Sequence, residues 1–198
     1  MTALVLASGS ATRLNMLRLA GVDVVVEKPQ VDEASIIESL IAEKARPRDI
    51  ADLLAEMKAV KVSARRTGAF VIGADQVLSV GSQVVQKATD VVEARRQLLM
   101  LRGKTHVLSS AVCVASNGSP VWREVREARL TMREFSEAFL DGYLAEAGEE
   151  ILGSVGAYQV EKLGIQLFSR IEGDHFTILG LPLISLLDFL RVHGLLKE

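Results

Sequence analysis

Two short segments hold residue types that can do chemistry. The first is Ser8-Gly9-Ser10-Ala11-Thr12-Arg13. Two serines, a glycine and an arginine sit where an apolar run gives way to a helical pattern. A helix N-terminus offers free backbone N–H groups and a partial positive charge, which suit an anion. Gly9 lets the backbone approach closely, and Arg13 adds a fork of donors matched to phosphate oxygens. Ser8, Ser10 and Arg13 are therefore candidate anion ligands. Plain capping by Ser10 with a solvated Arg13 explains the pattern equally well. The second segment is Ile72-Gly73-Ala74-Asp75-Gln76, where a carboxylate follows a short apolar strand. Asp75 there can bind a metal or take a proton from water. A turn aspartate bonded to its own backbone is the alternative.

Other polar residues are weaker signals. Glu33, Lys58 and Lys87 read, one by one, as solvated surface charges. His106 and His175 lack metal-ligand spacing and read as structural or peripheral. Cys113 lies in an apolar run with no histidine nearby, which favours a small buried residue over a nucleophile. Toward the C-terminus, Gly156-Ala157-Tyr158, Glu161, Gly173-Asp174-His175-Phe176 and Gly180-Leu181-Pro182-Leu183 read as loops lining a cleft, or as turns alone.

These residues need a scaffold. The chain has 198 residues, 49% hydrophobic and 24% charged, which is ordinary globular composition. The net charge of -2 gives no electrostatic reason to expect nucleic acid or an anionic membrane as partner. A single cysteine points to a reducing compartment. No segment approaches the ~20 apolar residues of a membrane span, and MTALVLASGS lacks the basic region of a signal peptide. A cytoplasmic location follows as the expectation.

The pattern predicts a strand over 3–7, a helix capped by Ser10 and closed by Gly21, and a short strand over 22–26, with 29–33 as loop. A helix over 48–63 carries apolar residues at 50, 53, 54, 57 and 60, with Lys58 beside that face. Strands are predicted over 70–73 and 77–80. The latter enters a hairpin through Gly81-Ser82. Asp90 and Glu93 open a helix ending before Gly103. Strands over 105–116 and 121–132 flank Asn117-Gly118. Helices follow over 136–147 and 181–192. The alternation with two hairpins predicts an α/β fold: a mixed twisted sheet with helices on both faces and two lobes around a cleft, in one domain over 1–198.

Taken in order, these segments resemble the Maf-like family of nucleoside triphosphate pyrophosphatases, relatives of the inosine triphosphate pyrophosphatases. The resembling segments are Leu6 to Arg13, Val31-Asp32-Glu33, Ala55 to Ala59, Gly73 to Val77, Leu101 to His106, Gly156-Ala157-Tyr158, and Ile171 to Asp174 through Gly180 to Leu183. The resemblance implies hydrolysis of a nucleoside triphosphate to monophosphate and pyrophosphate, a divalent cation (Mg2+ or Mn2+) and a possible homodimer. By position it makes Ser8, Arg13, Lys58 and Lys87 polyphosphate contacts, Asp75 the proton acceptor, and Glu33 with Asp75 the acidic groups at the metal. Two positions depart from the family pattern: Ala11 and Ala88 stand where proline is usual. Thr12, Gln76 and Glu161 fall at positions tied to base choice. Gln76 and Glu161 look like the branch acting on 7-methylguanosine triphosphate, and Thr12 matches neither branch. A nucleotide-binding regulator of cell division without turnover, and a phosphatase removing one phosphate at a time, are the rival classes.

Overall fold

The computed structural model describes residues 3–197; Met1, Thr2 and Glu198 of the expected domain lie outside them. The chain opens with strand β1 (Leu4–Ala7), helix α1 (Ala11–Leu19) and strand β2 (Val25–Val26). Helices α2 (Glu33–Ala42) and α3 (Pro47–Ser63) lead to strands β3 (Phe70–Val80) and β4 (Gln83–Val85). Helix α4 (Val91–Leu101), strands β5 (Thr105–Ser116) and β6 (Ser119–Met132), and helix α5 (Glu137–Ala147) follow. The chain ends in two 3-10 turns, strand β7 (Phe168–Glu172), a short helix α6 (His175–Ile178) and helix α7 (Leu183–Val192).

The sheet order is β2-β1-β3-β5-β6-β7, with β4 beside β3. β1 runs parallel to both β2 and β3, and the remaining pairs are antiparallel. The sheet is thus mixed, as the two hairpins require. α3 packs on one face through Leu54, Ala55 and Ala59 against Val77, Ala111 and Cys113. α1 and α7 cover the other through Leu17 and Leu186 against Leu6, Ile72 and Val112. A separate cluster joins α4 and α5 to the far ends of β3, β5 and β6 through Leu98, Leu140, Leu78, Leu108 and Leu130. Two lobes result. Among the described residues no helix is long and apolar enough to cross a membrane.

Several expectations need correcting. β3 is one continuous strand of 11 residues, so Asp75 lies in mid-strand rather than in a turn. The polar pair Asp75-Gln76 masks this in the sequence, because it interrupts two apolar runs. Helix α2 begins at Glu33, capped by Asp32, whose side chain accepts from Ser35 N. Its apolar residues Ile36, Ile37 and Leu40 are only partly buried, so the period is faint. β7 and α6 were likewise not legible as elements.

The length of β3 creates the cleft. β1 pairs with β3 only up to Ala7–Gly73, and β4 joins the same edge only from Leu78. The other edge is occupied throughout by β5. Residues Ala74 to Val77 therefore have an open edge between β1 and β4. Side chains alternate across a strand, so Asp75 turns toward α3 and Gln76 toward α1 and α6, and both reach that gap.

Gly73 sets the distance between α3 and β3. A Cβ there would lie 2.2 Å from the Ala55 carbonyl oxygen and 2.6 Å from Ala59 N. These are backbone atoms and cannot rotate away. Gly73→Ala should lower stability by about 1–3 kcal/mol or more, the usual cost of overpacking. Gly142→Ala, in α5 with nothing within 4 Å of the added Cβ, should instead raise it by about 0.5–1 kcal/mol. Urea midpoints of the two variants check the contrast; equal midpoints would contradict it.

Candidate active site

A cavity of about 860 Å³ opens over the exposed edge of β3. All ten residues singled out from the sequence line it: Ser8, Ser10, Thr12, Arg13, Glu33, Lys58, Asp75, Gln76, Lys87 and Glu161. Tyr158, from a loop expected to line a cleft, does so, and the structure adds Lys28, Ser154 and Gln159. Lys28 carried no signal, because it stands in a loop with no patterned neighbour. Its aliphatic stem lies over Gly9, where a Cβ would be 3.6 Å from Lys28 Cε.

The first loop folds as a helix entry. Ser10 caps α1, its Oγ accepting from Arg13 N at 3.3 Å. Ser8, buried, accepts through Oγ from Ser10 N at 3.2 Å and from Arg13 Nη1 at 3.4 Å. The cap thereby orients the loop, and residues 8–13 line the cavity. Arg13 is not a solvated side chain. Its Nε donates to the Gly180 carbonyl at 2.8 Å, and its Nη1 to the Ala74 carbonyl at 2.9 Å. Burial lowers its pKa, opposed by Asp75 and Glu33.

Lys58 is the largest correction to the charge reading. It is buried, with 5% of its surface exposed. Its Nζ donates to Asp75 Oδ1 at 2.5 Å and pairs with Glu33 Oε1 at 2.9 Å. α3 places it there because Lys58 shares the helix face of Leu54, Ala55 and Ala59. Asp75 is 6% exposed. Burial pushes its carboxyl upward from the ordinary range and Glu33 adds to this, while Lys58 and Arg13 pull it down. Removing one partner of such a pair typically costs about 3–5 kcal/mol, because the other charge is left buried.

The chemistry of this set bears on a metal. Among the described residues no group of three or more His, Cys, Asp or Glu side chains is placed to hold one. The available donors are the two carboxylates of Asp75 and Glu33, both within reach of the same Lys58 ammonium. A hard cation such as Mg2+ is usually held by one or two carboxylates together with substrate phosphates rather than by a full protein cage. The pair fits that pattern.

The sequence matches the family described as "Maf-like protein" over residues 3–193. The chain belongs to the Maf-like family. A protein of Caulobacter vibrioides named nucleoside triphosphate pyrophosphatase is 55% identical, over 99% of this chain and 98% of its own. One of the same name from Paramagnetospirillum magneticum is 54% identical, over 96% and 97%. A protein of Brucella abortus named 7-methyl-GTP pyrophosphatase is 47% identical, over 95% and 94%.

The departures of this Maf-like chain fall where the structure tolerates them. Ala11 is the first residue of α1, a position that proline favours but does not need. Ala88 is buried against the α4 cluster. Beside it, exposed Lys87 pairs with Val155 in a single bridge that closes one side of the cavity.

Tyr158 in the cavity wall is braced from behind. Its hydroxyl lies 2.7 Å from His106 Nε2, and His106 is 1% exposed. Burial pushes the His106 pKa down to about 4, against an ordinary value near 6.5. As pH falls from about 6.5 to about 4 the unfolded chain takes up a proton that the folded chain refuses. Stability is lost through that window, by about 3 kcal/mol at full extent. His106→Gln, which keeps a partner for Tyr158, should remove this component. The measurement is urea unfolding at a series of pH values; equal slopes for variant and parent between pH 6 and 4 would refute it.

Proposed function

We propose that this protein hydrolyses a nucleoside triphosphate between the α- and β-phosphates, releasing nucleoside monophosphate and pyrophosphate. The observation that carries the reading is Asp75, a buried carboxylate held at 2.5 Å by a buried lysine in a cavity of nucleotide size. The names of the relatives support it. A binding module needs no carboxylate raised by burial toward working pH, whereas a general base does.

The residues divide the work as follows. The N–H groups of the first loop, with Arg13, Lys58 and Lys87, face the polyphosphate and stabilise the charge that grows as the bridging bond breaks. Asp75 orients the attacking water and accepts its proton. Lys58 holds the Asp75 carboxylate in place beforehand. Glu33 and Asp75 would hold a divalent cation, Mg2+ or Mn2+, which when bound neutralises phosphate charge. Residues 1–198 act in this reading as one unit, in the reducing cytoplasm, where the buried free thiol of Cys113 is stable.

Asp75→Asn keeps size and hydrogen bonding but removes the charge. Turnover should fall by at least ~10²-fold, with the far-UV spectrum unchanged. Pyrophosphate is the product to score, across canonical and modified triphosphates with Mg2+ or Mn2+. Inorganic phosphate in its place would indicate stepwise removal, and no product would indicate a binding protein. Near-parental turnover in Asp75→Asn would remove that residue from the mechanism.

For the base, the reading is a guanine-type or modified purine. Gln76 and Glu161 line the same cavity, and a carboxylate accepts from the adjacent N–H donors of a guanine edge while facing acceptor oxygens on thymine. Glu161→Gln should lower the preference for guanine over thymidine triphosphate by about tenfold or more. Specificity constants for both nucleotides decide it, and an unchanged ratio would exclude Glu161 from base choice.

A further inference from the structure

The segment Gly173-Asp174-His175-Phe176 through Gly180 lends the cavity wall only Ile178 and Leu179. Its backbone nevertheless meets two of the site's polar side chains. We propose that the turn from Asp174 to Gly180 is one positioning element that fixes Arg13 and Gln76 relative to each other, with Asp174 as the residue that holds it. This rests on the pyrophosphatase reading above and adds to it how phosphate and base ends are kept in register.

Three carbonyls of this turn point at the site. The Thr177 and Ile178 oxygens accept from Gln76 Nε2 at 3.1 and 3.0 Å. The Gly180 oxygen accepts from Arg13 Nε at 2.8 Å. Arg13 stands on α1 and Gln76 on β3, so the turn ties together two elements that carry opposite ends of the ligand. Ser110, fully buried on β5, completes the clamp: its Oγ donates to the Thr177 carbonyl at 2.7 Å and accepts from Gln76 Nε2 at 2.9 Å. Gly180 has φ +93°, and a Cβ there would lie 3.3 Å from Arg13 Nη2.

The clamp has a polarity. Carbonyl oxygens cannot donate, so the Gln76 amide is forced to turn its nitrogen toward the turn. Its Oε1 is left beside Gly180 and the Arg13 guanidinium, 3.5 Å from where a Gly180 Cβ would sit. That atom accepts from no group among the described residues and is not among the buried unpartnered atoms. Gln76 therefore meets the ligand as an acceptor only, which suits a base edge with adjacent N–H donors. A glutamine free to rotate would offer either end and select little.

Asp174 holds the turn from outside the cavity. It caps α6, its Oδ1 accepting from Phe176 N at 2.9 Å and from Thr177 N at 3.1 Å, and its Oδ2 from the Thr177 hydroxyl. It is exposed and does not line the cavity. Losing it frees the Thr177 and Ile178 carbonyls to move, and with them Gln76 and Arg13.

The test compares kcat/KM for guanosine and thymidine triphosphates in the parent, Asp174→Ala and Asp174→Asn. A variant that merely unfolds in part loses active enzyme, and that fraction cancels in the ratio. In Asp174→Ala the guanine-to-thymidine ratio should fall by about tenfold, with KM raised for both. Asp174→Asn, whose amide oxygen still caps, should restore the ratio to within about twofold of the parent. A parental ratio of one, or a ratio unmoved in Asp174→Ala, would overturn the proposal. If the parent releases no pyrophosphate from any triphosphate, the function reading fails. The turn is then judged by calorimetric Kd values for guanosine and thymidine monophosphates in the same three proteins, with the same ratios expected.

Discussion

An ammonium and a carboxylate are stable inside a protein only when each satisfies the other, since the desolvation of either alone costs several kcal/mol. The Lys58–Asp75 contact sits under that constraint, and much of the surrounding architecture serves it. α3 must approach β3 closely enough for a lysine on the helix to touch a carboxylate on the strand. Gly73, two residues before Asp75 on the same face, is where the helix backbone comes closest. Ala55 and Ala59, one helical turn apart on α3, are the small residues that permit it. A bulkier pair would lift Lys58 away and strand two charges.

The second determinant is an absence of pairing. β1 ends at Ala7, while β3 runs on to Val80. The gap exposes one edge of β3 over Ala74 to Val77, and the chain leaving β1 turns directly into the N-terminus of α1 at that gap. Backbone donors of the loop, Asp75 on one face and Gln76 on the other are brought to one cavity by strand length alone. Alternation across β3 also separates two tasks. Asp75 meets Lys58, which also pairs with Glu33, on the α3 side, while Gln76 meets Ser110 and the carbonyls of the 174–180 turn on the other.

How far this was legible in the sequence follows from the same physics. Most elements read correctly because their punctuation is local: Ser10, Asp90 and Ser136 cap helices, and Gly81-Ser82 and Asn117-Gly118 turn chains. Mid-strand placement of Asp75 was not legible, because a polar pair inside an apolar strand looks like a turn until its partners are known. The burial of Lys58 was hidden for a related reason. A lysine beside an apolar helix face usually reaches for water, and only the position of Asp75, 17 residues on, decides otherwise. Ser8, Ser10, Arg13 and Asp75 stood out by residue type and placement, the other candidates took a role only from family order, and their assembly in one cavity required the fold.

The held state of Arg13 bears on the phosphate-binding role proposed for it. Three of its five N–H groups are committed to Gly180, Ala74 and Ser8, so its position is set before any ligand arrives. A side chain fixed in advance loses little rotamer entropy on binding, and its uncommitted donors are the two on Nη2. The same holds for Lys58, locked between two carboxylates, and for Gln76, locked among three acceptors. In the proposed function, polyphosphate and base would meet groups that need not reorganise. That is the condition under which electrostatic stabilisation favours the transition state over the bound substrate. The rigidity comes from backbone carbonyls and buried partners supplied by β3, β5 and the 174–180 turn. Residues that never touch a ligand therefore set the geometry of those that do.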